Sequence, residues 1–107
     1  MLYKFKSKAA GDLIMLEVNG RRVLQIIGKD AGPAGIILPE QMAAAVEALQ
    51  AAMALEEAEQ RASIDQAKAK GQIPPHFDVV NLRKRASPFI EMLQRCTKED
   101  ASVTWGT

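Results

Sequence analysis

Between Pro39 and Leu55 the chain carries four large apolar residues, Met42, Val46, Leu49 and Met53, at successive spacings of four, three and four, with alanine filling most positions between them. Steps of three and four return to the same side of an α-helix, so these residues form one stripe and the segment predicts a helix. Pro39 suits the first helical turn, where its missing N–H has no intrahelical acceptor to lose, and Glu40 sets a carboxylate near the positive end of the helix dipole. Other elements must cover that stripe, and a chain of 107 residues is long enough for one core and too short for two. The expectation is a single domain over residues 1–107.

The N-terminal region reads as strands. Leu2 to Lys6 alternates, Tyr3 and Phe5 against Lys4 and Lys6, the period of a half-buried strand. After a turn at Ala9-Ala10-Gly11, the apolar run Leu13 to Leu16 reads as a second, more buried strand, and the two form a hairpin. Asn19-Gly20 then supports two readings. As a hairpin turn it makes Arg21 to Ile27 a third strand; alternatively Val23, Leu24, Ile26 and Ile27 share one helical face, with Gly28 ending the helix in the left-handed conformation. Gly28 to Gly35, with three glycines and Pro33, is a loop that ends at Ile36-Ile37-Leu38.

Past Leu55 the stripe thins to alanines among charges, with Glu57 and Arg61 spaced to pair at i, i+4. Residues 56–76 read as an exposed helical extension and a linker, closed by Gly71, Pro74 and Pro75. Leu82, Ala86, Phe89, Leu93 and Cys96 make a second helical face. Pro88 interrupts it, because its ring clashes with the Lys84 carbonyl of a continuous helix, so a split is expected with Ser87 as N-cap and Pro88 as first helical residue. Glu91 and Arg95 are spaced to pair on its exposed side. Val103-Thr104-Trp105 is β-prone and returns to the N-terminal sheet. The expected class is α+β: a small antiparallel sheet of two N-terminal strands plus a C-terminal strand, packed against about three helices, one long and alanine-rich.

Phe5-Lys6-Ser7-Lys8-Ala9, Met15-Leu16, Ile26-Ile27-Gly28, Pro33 with Gly35-Ile36, and Arg85-Ala86-x-Pro88-x-Ile90 leading to Val103-x-Trp105 together resemble the proteobacterial family catalogued as domain of unknown function 1840. The resemblance covers nearly the whole chain and implies a helix at Gly20 to Ile27, where this chain departs in having Asn19-Gly20. It implies no reaction, ligand or catalytic residue.

A net charge of +1, with 48% hydrophobic and 25% charged residues, excludes a bulk field that draws the chain to nucleic acid or an anionic membrane. The charge is nonetheless segregated: Lys and Arg against Asp and Glu number six to three in residues 1–30, one to six in 31–67 and seven to four in 68–107. A single cysteine, Cys96, cannot form an internal disulfide or a cysteine zinc site. That fits a reducing, cytoplasmic location, and no signal peptide or apolar span of membrane length is read.

The glycine-rich loop before the long helix suggests an anion cradle, with Lys29, Asp30, Gly32 and Gly35 as candidate ligands, Arg85 as charge partner and Trp105 as platform. It lacks the Gly-Lys-Ser/Thr ending of a P-loop, and Pro33 deletes one amide donor. Arg83-Lys84-Arg85 points about 100° apart per residue on a helix and cannot face one phosphate backbone, so nucleic-acid binding is the weaker alternative. His76 has only Asp78 nearby in sequence, which is no catalytic signature. No nucleophile set, metal cluster or cofactor fingerprint is found, so the leading reading is a non-enzymatic interaction module without cofactors. It packs through the long helix, by Met42, Val46, Leu49, Met53, Glu57 and Arg61, on another copy or another protein. The alternative is a binder of, or enzyme on, a phosphorylated or carboxylated metabolite at the Gly28–Gly35 loop.

Overall fold

The computed structural model describes residues 2–74 and 82–106. Strands β1 (Leu2–Phe5) and β2 (Leu13–Leu16) form an antiparallel hairpin in which Leu2 lies opposite Leu16, Tyr3 opposite Met15, Lys4 opposite Ile14 and Phe5 opposite Leu13. The pleat sends Tyr3, Phe5 and Met15 inward and Leu2, Ile14 and Leu16 outward. The apolar run of β2 is therefore not buried on both faces. It alternates like β1, and its outward side chains are exposed.

Residues Glu17–Ile26 form helix α1, which decides between the two readings of Asn19-Gly20. Gly20 sits inside the helix because the Tyr3 ring lies directly on it: a Cβ there would stand 2.5 Å from Tyr3 Cδ2. Close packing, and not a turn, requires this glycine. Gly28, at φ +81°, ends the helix. Its N–H donates to Gln25 O at 3.1 Å and the Lys29 N–H donates to Leu24 O at 2.9 Å, the paired bonds of a Schellman motif.

The Gly/Pro loop then delivers a strand that periodicity did not mark, β3 (Gly35–Ile37), because three residues are too few to show a pattern. It pairs antiparallel with β4 (Val103–Trp105). The C-terminal strand thus has β3 as its ladder partner and joins the N-terminal hairpin through one bridge, Lys6 N–H to Thr104 O at 2.8 Å and Thr104 N–H to Lys6 O at 2.9 Å. Two small antiparallel sheets with helices make the chain α+β.

Helix α2 runs from Pro39 to Ala69, 31 residues and so about 46 Å at 1.5 Å per residue. Its first half packs on the core through Met42, Ala45, Leu49 and Met53, and its second half projects with mostly exposed side chains. This projection sets the 53 Å long axis and a radius of gyration of 16.0 Å, against about 13 Å for a compact chain of this length. Gly71, at φ +70°, closes the helix. Of the linker read at Gly71 to His76, everything beyond Pro74, including His76, lies outside the described residues.

Helix α3 (Leu82–Lys98) passes through Pro88 without a break, which corrects the expected split at Ser87. The apolar face supplies the reason. Leu82 and Ala86 before the proline, and Phe89, Ile90, Met92, Leu93 and Cys96 after it, are all buried. A proline inside a helix costs about 3 kcal/mol, and burying each large apolar side chain returns about 1.5–3 kcal/mol, so a continuous face wins. Phe5 joins the layers, its ring centroid 4.7 Å from Phe89 and 5.9 Å from Trp105. Trp105 is 2% exposed and belongs to this core.

Candidate functional site

The Gly28–Gly35 loop is built as an acceptor. Tyr3 Oη donates to Ala31 O at 3.0 Å and to Gly32 O at 3.3 Å, and Trp105 Nε1 donates to Gly32 O at 3.2 Å. An anion cradle needs converging N–H groups; here inward carbonyls take donors from the core. Gly35 faces Trp105 across the β3–β4 ladder, and any Cβ on it would collide with the indole. Lys29 Nζ donates at 2.8 Å to Gln41 Oε1, which also accepts the Leu38 N–H at 3.0 Å, so the lysine fastens the loop to the start of α2. Asp30 is exposed. Arg85 lies over the β1–β2 hairpin, so Lys29 and Arg85 do not meet in one site.

The stripe of α2 is placed inside. Met42, Leu49 and Met53 are buried and Val46 is packed against the core, where α2 lies against α3 and α1, so these side chains do not present a surface to a partner. Glu57 does not pair with Arg61. It receives both Nε and an Nη of Arg83 at 2.8 Å, a bidentate geometry that wins over the single-armed i, i+4 contact. The hydrogen bond from Arg83 holds the Glu57 carboxyl below its ordinary value and raises that of Arg83 in turn. Glu56 accepts the Leu82 N–H at 3.0 Å and meets Arg22 at 3.4 Å, joining the start of α3 and helix α1 to the middle of α2. Arg61 is exposed. Among the described residues Glu91 and Arg95 form no ion pair.

The outer face of the hairpin carries what sequence reasoning missed. Leu2, Ile14, Leu16 and Val18 are 57%, 53%, 55% and 71% exposed, and the first three lie side by side on the pleat, with Leu2 directly opposite Leu16. Isolated exposed apolar residues are ordinary, but a contiguous set on one sheet face is not. The face falls into a depression of about 310 Å³ bounded by Lys84, Arg85 and Pro88 of α3. Arg85 is half-buried there, and its Nε is buried without a hydrogen-bond partner among the described residues. The sequence held a signal for this face: Ile14 and Leu16 have the alternate spacing in β2 that Lys4 and Lys6 have in β1, but the continuous apolar run hid it.

The basic triplet is divided by this arrangement, Arg83 turning to Glu57 and Arg85 to the hairpin. Among the described residues there is no group of His, Cys, Asp or Glu that could hold a metal ion, and no helix is long and apolar enough to cross a membrane. Neither a curated protein nor a solved structure gives a significant match to the chain. The family described as domain of unknown function (DUF1840) matches residues 1–105, nearly the full length, and the chain belongs to that family.

Proposed function

We propose that this chain is a non-enzymatic interaction module whose docking surface is the outer face of the β1–β2 hairpin, and that its partner is an apolar segment of another protein bearing carboxylates. The observation that carries the reading is the contiguous apolar face with the cation of Arg85 at its rim. Arg85, half-buried at the rim of the depression, sets a cation beside the apolar face, and a carboxylate arriving with an apolar segment pairs with it while the segment covers Leu2, Ile14 and Leu16. Full burial of such a side chain contributes roughly 1.5–3 kcal/mol; the three are already nearly half covered, so covering the rest contributes roughly 2–5 kcal/mol in sum, on the order of a millimolar contact that pairing with Arg85 strengthens.

Charge decides between a foreign partner and a second copy. A two-fold contact of this face with itself brings Lys4 and Arg85 of one copy toward the same cations of the other, and like charges across an interface are disfavoured. The single cysteine, kept as a buried free thiol, supports a reducing, cytoplasmic setting for this module.

The test is fluorescence anisotropy with two labelled peptides, one alternating leucine and glutamate and one alternating leucine and lysine. The reading expects saturable binding of the acidic peptide alone, lost in Ile14→Arg and weakened in Arg85→Gln. Equal binding of both peptides, or binding indifferent to Ile14→Arg, overturns it. A dimeric mass in light scattering that Ile14→Arg makes monomeric replaces the foreign partner with a second copy.

A further inference from the structure

We propose that the open cleft between the turn after β1 and the connection from α3 to β4 binds a small dipolar ligand carrying an anionic group and an amine, of the free amino acid or short peptide class. The cleft encloses about 770 Å³, within the range of small-molecule sites. Its walls are fixed by backbone: the Lys6–Thr104 bridge ties the N-terminal side to β4, and at the other rim a Schellman motif turns the end of α3 through Asp100, at φ +53°.

Lys6, Lys8, Asp12, Glu99 and Asp100 line this one cleft. These five charges stand open to an incoming group. None of the five takes part in an ion pair among the described residues, where the pairs are Arg21–Glu17, Arg22–Glu56 and Arg83–Glu57. Ser7 adds a donor. Its Oγ accepts from the Ala9 N–H at 3.3 Å and from Cys96 Sγ at 3.1 Å, which leaves its own proton for a group in the cleft.

The same charges select the ligand class. Three carboxylates repel a polyphosphate, and the two lysines leave the five groups only one net negative charge to hold a polyamine, while among the described residues the carboxylates do not converge into a metal-holding group. A ligand with one charge of each sign meets complementary groups at both rims. The negative end of α3, with Glu99 and Asp100, takes the amine, and Lys6, Lys8 and the Ser7 hydroxyl take the anion. The cleft lies at the turn end of the hairpin and the docking face extends to its Leu2–Leu16 end, so the two proposals stand or fall separately.

The experiment is an amide-resolved NMR titration of the full chain with the proteinogenic amino acids and short dipeptides, beside acetate, ethylamine, inorganic phosphate and spermidine. The expected result is saturable shifts confined to residues 6–12 and 99–104 with dipolar ligands, with affinity at least about tenfold weaker for acetate and ethylamine. Lys8→Gln and Asp100→Asn each weaken the best ligand by about tenfold, and asparagine keeps the left-handed backbone at position 100 accessible. No shifts up to about 10 mM, shifts centred elsewhere, unchanged affinity in both variants, or preferential binding of phosphate or spermidine overturns the proposal.

Discussion

The two faces of the β1–β2 hairpin are made from the same eight residues and have opposite fates. On the inner face Tyr3, Phe5 and Met15 meet α1, α3 and β4, and the packing is tight enough that position 20 admits only hydrogen beneath the Tyr3 ring. On the outer face Leu2, Ile14 and Leu16 are as apolar as their neighbours and, among the described residues, meet only the rim of α3. Hydrophobicity alone therefore does not mark the core of this protein. Among the described residues, what separates the faces is whether another element supplies a complementary surface, and the docking proposal rests on the face that lacks one.

That contrast makes quantitative demands. Phe5→Ala removes the ring that joins Phe89 and Trp105 and should cost about 3–5 kcal/mol in urea denaturation; a loss under about 1 kcal/mol would erase the distinction between the faces. Gly20→Ala follows. The clash lies with the Cβ, Cγ and Cδ2 of Tyr3, the base of the side chain and not a flexible tip. The forced displacement should cost about 1–3 kcal/mol, more than the roughly 1 kcal/mol alanine gains in helix propensity.

The exposed Arg83–Glu57 pair gives a contact of intermediate kind, fixed in geometry but bathed in solvent. Because the hydrogen bond from Arg83 holds the Glu57 carboxyl below its ordinary value, the pair's contribution is complete above the ordinary glutamate range and is lost as pH falls through the depressed value. The melting-temperature difference between the native chain and Glu57→Gln should thus be small at neutral pH, shrink with added salt, and vanish in acid. Smallest of all, Leu16→Thr keeps a strand-forming residue on the outer face and should change stability by no more than about 0.5 kcal/mol. A loss above about 2 kcal/mol there, a core-sized effect, would show that the outer face is needed for folding and would sink the docking proposal.

Much of the fold is legible in the sequence wherever a repeat is long enough to declare itself. The stripe from Met42 to Met53 names helix α2, and alternation over Leu2 to Lys6 names β1. Position 20 is illegible locally, because the Asn-Gly pair advertises a turn and the reason for glycine is an aromatic ring 17 residues earlier in the chain. Pro88 misleads for a related reason: its cost is local, and the buried face that outweighs it is assembled from three other elements. The candidate site is least legible. A stripe of apolar residues looks the same whether the chain covers it or leaves it bare, so from sequence Met42 and Leu49 read as a surface and Ile14 and Leu16 as a buried strand, and only the packed structure separates them.

The hold of Tyr3 and Trp105 on the Ala31–Gly32 carbonyls spans 28 to 73 residues of sequence. Such long-range bonds form only when both ends of the chain have reached the middle. The chain contains a single tryptophan, buried and bonded at that junction, so its emission is an intrinsic reporter for completion of the whole fold. A red shift on denaturation will register the parting of β3 and β4 without any label.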